Sequence, residues 1–184
     1  MKKLRLVPVL ISVLGAFHVS ANELKIDVIA TSHDSASTIG HLTYGNIEGC
    51  VYDSKSDKHD EITYMNIENN EVVLNIQTPI GFFDESLPTT AVISGGDGAR
   101  HEPITIDLTA SNDGRYGADS GTQPEVAKLR GLLFAKKALV DQPTVSVRQG
   151  MKSTQLEWHL DESIMYSYNK CEESVVLANM GDGK

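Results

Sequence analysis

Acids, histidines, cysteines and one tryptophan are the residues here whose types could do chemistry, and their spacing restricts what they could do. The segment DSKSDKHDE, Asp53 to Glu61, has the charge of an ion-binding loop. Lys55 stands where an EF-hand needs an oxygen ligand, however, and Lys58 where it needs glycine, so the segment reads as a solvated loop. SGGDGARHE, Ser94 to Glu102, has the glycines of a phosphate cradle, but Pro103 and a β-prone run follow it where a helix N-terminus is required. It reads as a turn. Beyond residue 21 the histidines are His33, His41, His59, His101 and His159, and no two are four apart, as a helical metal site would need. No strand-elbow serine motif is present. The sequence therefore calls for no catalytic residue, no metal and no cofactor, and an enzyme is the third choice, as a small exported hydrolase.

The two cysteines, Cys50 and Cys171, lack the close ligand pairs of a zinc site. In an oxidising compartment an even count predicts one disulfide, tying an early strand to a late one. The compartment is set by the N-terminus. Lys2, Lys3 and Arg5 precede an apolar run from Leu6 to Phe17, and Val19-Ser20-Ala21 places small residues where signal peptidase requires them. Residues 1–21 read as a secretory signal peptide, leaving 22–184 as one domain of ordinary size in the periplasm or beyond. The leader takes three of the 16 basic residues and none of the 25 acidic ones, so 13 face 25 and the formal charge falls from −9 to −12. Such a surface repels nucleic acid and anionic membranes.

The elements that must carry these residues are mostly strands. Short runs rich in Val, Ile, Thr and Tyr, broken by Gly, Asn, Asp and Pro, predict strands at 24–31, 38–44, 61–67, 71–77, 90–93, 104–109, 144–148, 155–160 and 163–168. Asn69-Asn70 suits the tight turn of a hairpin within NIENNEVVLNI. Strands at this spacing, without helices regularly between them, favour an antiparallel sandwich over a parallel sheet. One stretch departs from the pattern: in 120–143, Thr122 could cap a short helix begun by Pro124 and Glu125, with Val126, Leu129 and Leu133 on one face. The run 132–135 is equally compatible with a buried strand, and Lys128, Arg130, Lys136 and Lys137 form a solvated basic face. Trp158 shares its side of a strand with Leu156 and Leu160, which makes it a core anchor rather than a sugar platform.

The signal peptide, the alternating NELKIDVIA, the antiparallel pattern and STQLEWHLDESIMYSY together resemble subunits of chaperone/usher fimbriae, in particular the thin flexible fimbriae of enteric bacteria. ITIDLTASNDGRYGADSG with LRGLLFAKKAL is similar to the strand, glycine-rich loop and short helical excursion of those subunits. The resemblance covers about a third of the chain after the leader. It implies a mainly β, immunoglobulin-like sandwich with one short helix, left incomplete until a donor strand from a neighbour fills it. It also implies neighbouring subunits, a periplasmic chaperone, an outer-membrane usher and a host receptor as partners, with the periplasm as transit and the cell surface as destination. Residues 22–31 are then the candidate donor strand, with Leu24, Ile26 and Val28 as its pocket-filling side chains. An ordinary first strand of the protein's own sheet fits the same alternation. The polar tail ANMGDGK departs from the family pattern and leaves the chaperone-recognition strand at either 163–168 or 174–178. The competing class is a periplasmic inhibitor or immunity protein, blocking an exported hydrolase with a loop such as GGDGARHE.

Overall fold

A computed structural model describes residues 23–55, 60–67, 71–95, 102–111 and 114–181. Ten strands, β1 (Lys25–Thr31), β2 (Ser37–Tyr44), β3 (Ile47–Lys55), β4 (Glu61–Ile67), β5 (Glu71–Gln77), β6 (Thr89–Ser94), β7 (Ile104–Ser111), β8 (Arg115–Asp119), β9 (Thr144–Gln149) and β10 (Lys152–Glu157), form one ladder in the order β1-β2-β3-β4-β5-β8-β7-β6-β9-β10. Every pairing is antiparallel. The chain is mainly β, as its composition predicts. β7 turns the corner between the two halves: its first part, Ile104 to Leu108, pairs with β6, and its end, Thr109 to Ser111, pairs with β8.

The halves share one core, to which Ile39, Tyr52, Tyr64 and Leu74 come from one side and Ile93, Ile106, Val147 and Leu156 from the other. That is the sandwich arrangement, with alternate residues of each strand turned inward. Between the halves lie two short helices, α1 (Pro124–Ala127) and α2 (Leu129–Leu133), and a 3₁₀ turn at Lys136–Leu139. Val126, Leu129 and Leu133 are buried together, so the predicted helical face is present, broken at Lys128. Residues 132–135 are not a strand. Gln123, not Thr122, occupies the cap position, and the Thr122 hydroxyl turns back to Asp119.

The largest correction is at the C-terminus. Residues 163–168 are not a strand; they open the 20-residue helix α3 (Glu162–Gly181). Ile164, Met165, Tyr168, Cys171 and Val175 are all buried, a stripe of helical period. Asp161 starts the helix by accepting the Ile164 N–H at 2.7 Å. The other candidate for a recognition strand, 174–178, lies in the same helix. Two strands escape the sequence pattern. β3 is buried through Gly49 to Ser54, on both faces, so it shows no alternation. β8 is five residues long and carries Gly117 and Asp119.

α3 packs on β1, β2 and β3. Cys171 of its buried stripe is bonded to Cys50 of β3 across 121 residues, so the predicted disulfide is present, though it joins a strand to a helix. Beside it, Glu172 takes Arg130 from α2 through Nε at 2.6 Å and Asn66 from β4 through Nδ2 at 2.7 Å. Trp158 is 2% exposed and stacks on Tyr52 with centroids 4.2 Å apart. It lies in the main core, but with Leu160 it follows β10, which covers Lys152–Glu157 and not the expected 155–160.

Candidate functional site

Along β1, the register sets Ile26 opposite Leu42 and Val28 opposite Gly40, so Leu24, Ile26 and Val28 share the outer face of the sheet, away from α3. There they meet a second, smaller apolar cluster: Leu42, Val51, Met65 and Val73, with Leu24, Ile26 and Ile67 packed against it. Among the described residues, Ala30 is the β1 hydrophobic side chain packed against the main core, and α3 also lies along the strand. Gly40 makes room for Ile26, because a Cβ on Gly40 would stand 2.5 Å from the Ile26 Cγ2. A bulge between Val28 and Ala30 then turns the strand, and Val28 and Ile29 are 57% and 51% exposed. Leu24 and Ile26 are thus half-buried in the cluster, while Val28 stands mainly in solvent. β1 pairs with β2 on one side only and is an edge of the sheet.

Next to the bulge, Ile26, Val28, Thr38, Gly40 and Val51 wall a cavity of about 120 Å³. Its polar end is formed by Asp53, Lys55 and Thr63 of the β3–β4 pair. The Thr63 hydroxyl donates to Asp53 Oδ1 at 3.0 Å, and Lys55 Nζ lies 3.4 Å from Asp53 Oδ2 and 3.6 Å from Glu61 Oε1. Burial, followed by hydrogen bonding to and repulsion from Asp53, pushes Glu61 up to about 7 against the pull of Lys55. Burial of Lys55 is outweighed by Asp53 and Glu61, which raise it. Glu61, Asp53, Lys55 and Thr63 thus fasten the end of β3 to the start of β4 beneath β1.

The sequence treats 53–61 as a solvated loop, whereas Asp53 to Lys55 end β3, Glu61 begins β4, and Asp53 is 8% exposed. The signal that could have revealed this is the placement of Asp53 and Lys55 two apart before the turn, with Glu61 and Thr63 two apart after it. Charged and hydroxyl side chains at those positions face one another across an antiparallel pair. His59 and His101, with most of GGDGARHE, lie outside the described residues. His41 lies 3.6 Å from Glu48, and His159 Nδ1 lies 3.9 Å from Asp34. Among the described residues no three His, Cys, Asp or Glu side chains are grouped to hold a metal. No described helix is long and apolar enough to cross a membrane.

Searches of known protein families, of curated proteins and of solved structures found no match to this chain.

Proposed function

We propose that this protein is an exported, non-enzymatic assembly subunit whose first strand is exchanged between copies, and that its setting is a surface fimbria. The observation that carries the reading is how β1 is held. Its apolar side chains seat on a cluster of their own, with Gly40 as the hole for Ile26, and the main core is built almost entirely without it. A strand that can leave without emptying the core can be supplied by a neighbour, with ladder hydrogen bonds for affinity and alternate side chains for selectivity. The Cys50–Cys171 bond suits an oxidising compartment, and the N-terminal 21 residues suit export. On this reading the secreted chain begins at Asn22, a few residues before the exchanged strand, and a chaperone and an usher handle it in transit.

The test is Ile26→Asp in the secreted protein, produced with its export and assembly partners. A carboxylate in the Gly40 hole would sit unpaired against Leu42 and Val51, costing several kcal/mol. On an unheated detergent gel, surface-sheared wild-type protein should run as multimers that collapse on heating, and the variant should be oxidised and folded but give no detergent-resistant multimers. Detergent-resistant multimers that survive in the variant, or a wild type that never forms them, would refute the proposal.

A further inference from the structure

β1 ends the sheet, and among the described residues no strand pairs with its outer side. Alternate N–H and C=O groups of such a strand point away from the sheet and can take on another strand. What that strand can be is restricted by the side chains of β1. Its regular part is short, because the bulge after Val28 turns the chain and breaks the ladder. Within it, Lys25 and Asp27 are both exposed and stand on the face opposite to that of Ile26 and Val28. Val28 and Ile29 add exposed apolar surface at the same edge.

An antiparallel partner of the same sequence satisfies all of these in one register. When Ile26 lies opposite its own counterpart in a second copy, Lys25 of each copy falls opposite Asp27 of the other, and Leu24 falls opposite Val28. One face then holds two ion pairs. The other holds an unbroken apolar row, continuous in each copy with the cluster of Leu42, Val51 and Met65. Moving the axis one residue either way destroys the match. Centred on Lys25, the pairing sets lysine on lysine and Glu23 on Asp27; centred on Asp27, it sets aspartate on aspartate and leaves Lys25 against Ile29. An axis between two residues sets the apolar face of one copy against the charged face of the other. The matched stretch, 24–28, is symmetric about Ile26 and stops where the bulge begins.

We infer that the β1 edge binds the β1 edge of a second copy, antiparallel about Ile26, joining two sheets into one. The contact is isologous, so it closes at two chains. Five residues a side make a small interface, and the dimer is reversible and depends on concentration. It uses the outer side of the strand whichever chain supplies β1, so it goes beyond strand exchange and does not rest on it.

The experiment is sedimentation of the purified secreted protein over a range of concentrations, without detergent, chaperone or usher. The wild type should pass from monomer to dimer as its concentration rises. Lys25→Asp sets aspartate against Asp27, and Asp27→Lys sets lysine against Lys25, so each should weaken the dimer by about tenfold. Mixing the two variants should bring association back, because in the mixed pair every lysine meets an aspartate. The double variant Lys25→Asp with Asp27→Lys should dimerise like the wild type. Circular dichroism of each variant checks the fold. Neither position belongs to the Leu24, Ile26 and Val28 row, so the detergent-resistant multimers of strand exchange should form in all of these variants, and the two readings fail separately. A wild type that stays monomeric at every concentration, single variants that dimerise as strongly as the wild type, or a mixture that associates no better than either variant alone would each overturn the inference.

Discussion

At the scale of single residues, the Asp53–Glu61–Lys55 group makes a claim about pH. Glu61 ionises near 7 in the folded chain and near the ordinary 4.5 in the unfolded one, so between those values the folded state holds more protons. A raised carboxyl contributes stability that is complete below the unfolded value and disappears as the pH rises through the folded one. Glu61→Gln keeps a neutral side chain at all pH values and removes this contribution to the slope. Urea unfolding at pH 5 and pH 8 should show the wild type losing more stability between them than the variant, by about 2 kcal/mol. Parallel profiles for the two proteins would mean that Glu61 is not the group responsible. Sequence alone does not reveal this site, because its charges read as loop residues until β3 is recognised, and β3 carries no alternation to recognise.

At the scale of elements, α3 is held to the sheet by one covalent bond and by the polar contacts of Glu172. A bridge across 121 residues should contribute about 4 to 5 kcal/mol on the chain-entropy account. Cys50→Ala with Cys171→Ala should lower the unfolding free energy by roughly that amount, and non-reducing peptide mapping of the wild type should recover the linked pair. A double variant as stable as the parent would show that packing alone holds the helix. The disulfide is legible from an even cysteine count and a leader, whereas its partner element is not. Tyr166, Tyr168 and the β-branched Ile164 give 163–168 the look of a strand, yet the buried positions 164, 165, 168, 171 and 175 follow a helical period, visible only over a window longer than six residues. The predicted segments 24–31, 38–44, 61–67, 71–77, 90–93, 104–109 and 144–148 coincide with strands because each is a run rich in β-branched and aromatic residues bounded by turn formers. β3 is buried on both faces and offers no alternation, while β8 alternates over only five residues with Gly117 at its centre, too short a run to stand out. The short helices lie where Pro124 and the spacing of Val126, Leu129 and Leu133 place them.

For the whole molecule, the proposed function requires that the first strand, paired with β2 within the chain, can leave without emptying the core. The main core joins both halves of the sheet, α1, α2 and α3, and among the described hydrophobic side chains of β1 it takes in Ala30 alone, with α3 lying along the strand. Removing 22–31 should therefore leave a folded protein with Leu42, Val51 and Met65 uncovered. Such a protein should accept the missing strand from outside. The decisive measurement is calorimetric titration of the secreted protein lacking residues 22–31 with a synthetic peptide of sequence NELKIDVIAT. The account predicts a folded, disulfide-linked acceptor that binds one peptide per chain and gains thermal stability, and no binding by the same peptide carrying Ile26→Asp. A truncated chain that cannot fold even with its export partners present, or a folded one that takes up neither peptide or both alike, would contradict it.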